Sequence, residues 1–172
     1  LMQAGSLAVL IIAFIATGAA LRRLLLFYPH RHEAQRAAAK FTLVWRAGDV
    51  CLLIAGILLV TAFGSAETGA INAAAAAATD LPATARVAIG FLALAACLKT
   101  AAFPLNGWLT EVMEAPTPVS ALLHAGIINS GGVLLILFAP LVQASPGALA
   151  ALVVVGGFTA LFGAMVMLTQ SA

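Results

Sequence analysis

The chain has 172 residues, of which 63% are hydrophobic and 8% charged, and its net charge is +2. A soluble domain needs roughly 25% charged residues to cover its surface, so that class is excluded and lipid must cover most of the outer face. Unbroken runs of Leu, Ala, Val and Ile without two-residue alternation exclude a barrel. The lack of a basic stripe outside one loop excludes a nucleic-acid role.

The expectation is an all-α, polytopic transmembrane bundle of about five spans with one broken helix, each span needing roughly 20 apolar residues. The first covers about residues 2–27. It has no basic segment before it, and Arg22 and Arg23 near its end, so it reads as a span reaching an interface and not as a cleaved leader. The second covers about 41–63 and carries Arg46, Asp49 and Cys51. The loop after it, about 64–82, contains the run Ala73 to Ala78, which reads as a short surface helix or a flexible connection. The third covers about 84–114 and is broken near Pro104, leaving a short helical piece after it. The fourth covers about 118–142 and the fifth about 147–170. Both ends are abrupt, one inside an apolar run, so the reading is a single bundle that is part of a longer protein.

Arg22, Arg23, Arg31, Arg36, Lys40 and Arg46 are six of the eight Lys and Arg residues, whereas the 64–82 loop holds Glu67 and Asp80 and no cation. The positive-inside rule therefore places the loop near residues 28–40 in the cytoplasm.

Charges inside spans are the informative residues, because each costs about 2.5–3.5 kcal/mol at mid-bilayer. Lys99 lies well inside the third span, and Pro104 follows it. A proline removes a backbone donor, and a break at membrane depth is tolerated only where protein buries it or a polar cavity lies beside it. A lysine beside such a break is an ion-holding arrangement, and a desolvated lysine can load and unload a proton. The alternative is a lysine reaching for the interface from a helix end. His124 can relay protons near neutral pH or pack against a carbonyl. Arg46 and Asp49, three apart, can face each other as a structural ion pair, or Asp49 can feed a proton path. Glu111 and Glu114 lie beside the segment Pro116-Thr-Pro118. They are candidates for a cytoplasmic mouth or are solvated acids at a helix end, with Pro116 and Pro118 as further break positions.

Gly131 and Gly132 suit close helix packing. Cys51 and Cys97 read as small hydrophobes. There is no zinc cluster, phosphate loop or nucleophile elbow, so the chain reads as a non-enzyme without a cofactor of its own.

The run from Lys99 through Phe103-Pro-Leu-Asn-Gly-Trp-Leu and Met113-Glu-Ala-Pro-Thr-Pro-Val-Ser-Ala-Leu-Leu-His124 resembles the signature of the antiporter-like membrane subunits of respiratory complex I and multisubunit cation/proton antiporters. Arg46-Ala-Gly-Asp49 resembles the Arg-x-Gly-Asp of the preceding span in that family. The resemblance implies a fragment of an antiporter-like fold, with Lys99 as the broken-helix lysine and His124 as the next relay. Complex I subunits carry a glutamate one span earlier, paired with the lysine. Here no acid occurs from Leu1 to His32, which implies a lysine without its usual partner.

The segments Leu24-Leu-Leu-Phe-Tyr-Pro, His124-Ala-Gly-Ile-Ile-Asn-Ser-Gly-Gly and Phe138-Ala-Pro-Leu are similar to the membrane subunit of the DAB inorganic-carbon transporter, DabB type. That resemblance implies a bacterial inner-membrane subunit passing protons or sodium to drive bicarbonate or CO2 accumulation. It also implies a large soluble, carbonic-anhydrase-like partner of DabA type that holds the zinc. A proton-translocating subunit of complex I or an antiporter, and a non-conducting anchor for a soluble partner, are the alternatives.

Overall fold

The computed structural model describes residues 5–27, 30–78, 80–111 and 117–169. They form helices α1 (Leu7–Leu25), α2 (His32–Phe63), α3 (Thr68–Ala77), α4 (Ala83–Lys99), α5 (Gly107–Glu111) and α6 (Thr117–Leu122). A π turn over Leu123–Ile127 follows, then α7 (Ser130–Leu137), α8 (Ala139–Gln143) and α9 (Pro146–Thr169). Among the described residues, four stretches are long and apolar enough to cross a membrane: α1, α2, Val119–Leu137 and α9. Helix α4 has 17 residues and ends at Lys99, five residues before Pro104, so the lysine is its last residue and does not lie well inside it.

The buried stripe of α1, Leu7, Leu10, Phe14, Gly18, Leu21 and Leu25, repeats every three or four residues, as one face of a helix requires. It meets the stripe of α2 formed by Phe41, Trp45, Leu52 and Leu59. The two helices are antiparallel. Leu7 donates its backbone N–H to the Ala66 carbonyl at 2.9 Å and Thr68 to that of Gly5 at 3.1 Å, so α1 begins where α2 ends. Gly64 terminates α2 in a left-handed conformation, φ 67°, which glycine adopts without steric cost.

The most extensive packing is between α2 and α4, and α1 also packs on α2. After the break, α5 returns to the early part of α2, where the Trp108 ring meets Phe41 edge-on at 5.3 Å. Helix α7 then packs on α4 through Gly131, where a Cβ would overlap the Ala96 carbonyl and Thr100 Oγ1. Gly132, by contrast, faces open space.

The alanine run forms the second half of α3, a helix with Ile71 and Ala75 buried. Its Asn72 Nδ2 donates to the Leu137 carbonyl at 2.8 Å, where the chain bends between α7 and α8 ahead of Pro140. Helix α9 buries no residue against the rest of the chain.

Candidate ion-holding site at the helix break

On α4 the buried residues Ile89, Leu92, Ala96 and Lys99 lie at spacings of three and four. The lysine therefore points where the apolar residues before it point. On α2, Trp45, Asp49 and Leu52 continue the stripe that begins at Phe41. Gly48 lets the helices close there, since a Cβ would stand 3.3 Å from Lys99 Cγ and 3.5 Å from Leu98 Cβ.

Lys99 is 0% exposed and Asp49 6%. Lys99 Nζ donates to Asp49 Oδ1 at 2.7 Å. The same ammonium lies 4.1 Å from the Trp45 ring centroid and 4.7 Å from that of Phe14. Ring faces are electron-rich and attract a cation, more strongly when water is excluded. Trp45 is itself oriented: its Nε1 donates to the Phe14 carbonyl at 3.2 Å. Gly18 makes room for the indole, because a Cβ there would overlap Cδ1 and Nε1. The ammonium is thus enclosed by one carboxylate and two rings from α1 and α2. Asp49 Oδ2 is buried and has no hydrogen-bond partner among the described residues. An amine and a carboxylate in contact, out of water, can share or pass one proton.

The break directly follows the lysine. Thr100 N–H still bonds to the Ala96 carbonyl at 2.9 Å, and Ala102 N–H reaches back five residues to Cys97 at 3.0 Å. Ala101 takes φ 54°, the left-handed region that non-glycine residues rarely adopt. Pro104 follows in a cis peptide with Phe103.

The other expected site residues lie apart from this pair. Arg46 is exposed on α2. The expected pairing of Asp49 with Arg46 is replaced by pairing with Lys99, because Asp49 lies on the buried stripe and Arg46 lies off it. His124 is exposed within the π turn. That turn has Ile128 N–H bonded to the Leu123 carbonyl at 3.1 Å. Two side chains, Asn129 at 3.4 Å and Ser130 at 2.6 Å, bond to the carbonyls of His124 and Ile127. Among the described residues no hydrogen bond or ion pair joins His124 to Lys99. Glu111 closes α5. Pro118 is the second residue of α6, where a helix does not require the proline's missing N–H. Glu114 and Pro116 lie outside the described residues. Among the described residues, no group of three His, Cys, Asp or Glu side chains could hold a metal ion.

Sequence reasoning missed Phe14 and Trp45 as walls of the site, although Trp45 stands one helical turn before Asp49. It also missed that Asp49, one helix after the span where the acid was sought, supplies the lysine's partner.

A family model described as "NADH:quinone oxidoreductase/Mrp antiporter, TM" matches residues 4–172. The "Probable inorganic carbon transporter subunit DabB" of Hydrogenovibrio crunogenus is 46% identical over 95% of this chain and 32% of its own length. The NADH-quinone oxidoreductase subunit L of Mycobacterium tuberculosis is 38% identical over 96% of this chain and 26% of its own. A structure of the Mrp complex from Dietzia sp. DQ12-45-1b superposes with a TM-score of 0.68 at 33% identity. It covers 77% of this chain and 14% of that one. The chain spans about a third of the length of the inorganic-carbon-transporter relatives it matches.

Proposed function

This chain belongs to the NADH:quinone oxidoreductase/Mrp antiporter transmembrane family, and we propose that it forms the proton- or cation-conducting part of a longer membrane subunit that energises inorganic-carbon accumulation. The observation that carries this reading is the Lys99–Asp49 pair, closed off from solvent at a helix break. Burying two charges is costly, and a break at membrane depth has to be supported by surrounding protein. The identity of 46% to a probable inorganic carbon transporter subunit supports the choice of transported solute.

In this reading Lys99 is the group that loads and releases the proton, and Asp49 holds it between turnovers. His124 and Arg46 extend the path from the exposed side, with Glu111 and Glu114 at the cytoplasmic mouth. The subunit lies in a bacterial inner membrane and works with a soluble, zinc-containing, carbonic-anhydrase-like partner of DabA type. Protons or sodium are the conducted ions.

The test uses the full-length protein in cells that need added CO2 to grow. Lys99→Met combined with Asp49→Leu keeps the volume of the site and removes both charges. Loss of growth rescue with normal assembly is expected, and full rescue by this double variant would overturn the reading.

A redox-driven pump subunit is the second reading. It is favoured by the acid that Asp49 provides for Lys99, and by the 38% identity to a subunit of NADH-quinone oxidoreductase. Quinone-reductase activity in the purified assembly would select it.

A further inference from the structure

The break after Lys99 interrupts the helical hydrogen-bond ladder, so the backbone N–H groups within it need other partners. Three of the donors bond within the break or back to α4. Thr100 and Ala102 bond back to α4, and Leu105 N–H bonds to the Ala102 carbonyl at 2.7 Å. Pro104 has no N–H. Phe103 bonds outside the break: its N–H donates to Thr159 Oγ1 at 3.0 Å, a side chain 56 residues further on.

Thr159 belongs to α9, which buries no residue against the rest of the chain. Its hydroxyl donates to the Val155 carbonyl at 2.7 Å. With the proton committed to that bond, the oxygen lone pairs face Phe103. One turn further along α9, Phe162 packs on the Phe103 ring at 4.8 Å between centroids. Helix α9 therefore holds one residue of the break by its amide and its ring, four residues from Lys99.

We propose that Thr159 is a positioning residue for ion conduction: its hydroxyl fixes the Phe103 amide and so keeps the break in the shape that presents Lys99 to Asp49. A merely space-filling threonine would be replaced equally well by valine, which has the same shape. A hydrogen-bond acceptor would be replaced by serine instead. The inference rests on the proposed conducting role of Lys99.

The experiment compares Thr159→Val, Thr159→Ser and the Lys99→Met/Asp49→Leu double variant in the full-length protein. Two readouts are taken: ion flux into membrane vesicles, and hydrogen–deuterium exchange of the peptide containing Phe103. Thr159→Val is expected to lower flux about tenfold and to speed exchange at Phe103 by a similar factor, as loss of one buried hydrogen bond implies. Thr159→Ser is expected to stay within about twofold of the unmodified protein in both. If Thr159→Val does not assemble, Thr159→Ala takes its place.

Unchanged exchange in Thr159→Val, or a Thr159→Ser as impaired as the valine variant, overturns the inference. So does normal flux in Thr159→Val when the double variant is inactive, and the conducting role of Lys99 then stands. Flux through the double variant overturns the conducting role and this inference with it.

Discussion

Replacing Lys99 by methionine removes the ammonium from a site that then holds a carboxylate against two ring faces. At the observed 2.7 Å the Coulombic attraction is about 6 kcal/mol with an effective dielectric constant of about 20. Much of this offsets the cost of burying the charges, and removal of one partner from a buried pair costs about 3–5 kcal/mol. The two possible single losses are not equivalent here. Asp49→Asn leaves the ammonium between Trp45 and Phe14, which each attract a cation by about 1–2 kcal/mol when desolvated. Lys99→Met leaves a carboxylate facing the same electron-rich rings, which give it nothing. Lys99→Met is therefore expected to destabilise by about 3–5 kcal/mol and Asp49→Asn by about 2 kcal/mol less. The double variant Lys99→Met/Asp49→Leu has no buried charge and is expected within about 1 kcal/mol of the unmodified protein. Equilibrium unfolding in detergent measures all three. Asp49→Asn proving the more damaging, or a double variant no more stable than Lys99→Met, would refute the enclosure as the source of the pair's stability.

Gly18→Ala pushes a methyl into the Trp45 indole and is expected to cost about 1–3 kcal/mol. Loss of near-ultraviolet tryptophan ellipticity would accompany it, and an unchanged spectrum would count against the contact. Gly131→Ala meets the Ala96 backbone, which has no side-chain freedom to give way, so a similar loss is expected in the same unfolding assay. His124→Ala removes an exposed side chain and is expected to leave unfolding within about 0.5 kcal/mol. A larger loss would mean that the imidazole is packed and not exposed.

The membrane-spanning bundle and the break were legible in the residues. Apolar run lengths are a direct consequence of bilayer thickness, and Pro104 lacks the N–H that a continuous helix would use. Lys99 stood out because a charge within a span is costly in any arrangement. Helical periodicity also held more than was read from it: Phe41, Trp45, Asp49 and Leu52 share one face, which already separates Asp49 from Arg46.

Other features had no local signal. The π turn at Leu123–Ile127 follows from how Asn129 and Ser130 satisfy carbonyls within that particular packing. The alanine run left helix and flexible connection equally open, and Asn72 reaching Leu137 is part of what ties it down. The bond from Phe103 to Thr159 joins residues whose meeting depends on where α9 runs.

What the sequence by itself determined is that this chain lies in lipid as helices, that one helix breaks, and that a lysine sits beside the break. Those properties follow from transfer cost and backbone chemistry, which act residue by residue. Only the tertiary structure decided the lysine's partners. An acid absent from the first span is supplied by the second, and two aromatic rings complete the enclosure. Such partners are chosen by which helix faces meet, and Gly18 and Gly48 allow those faces to approach closely enough for one ammonium to touch them all.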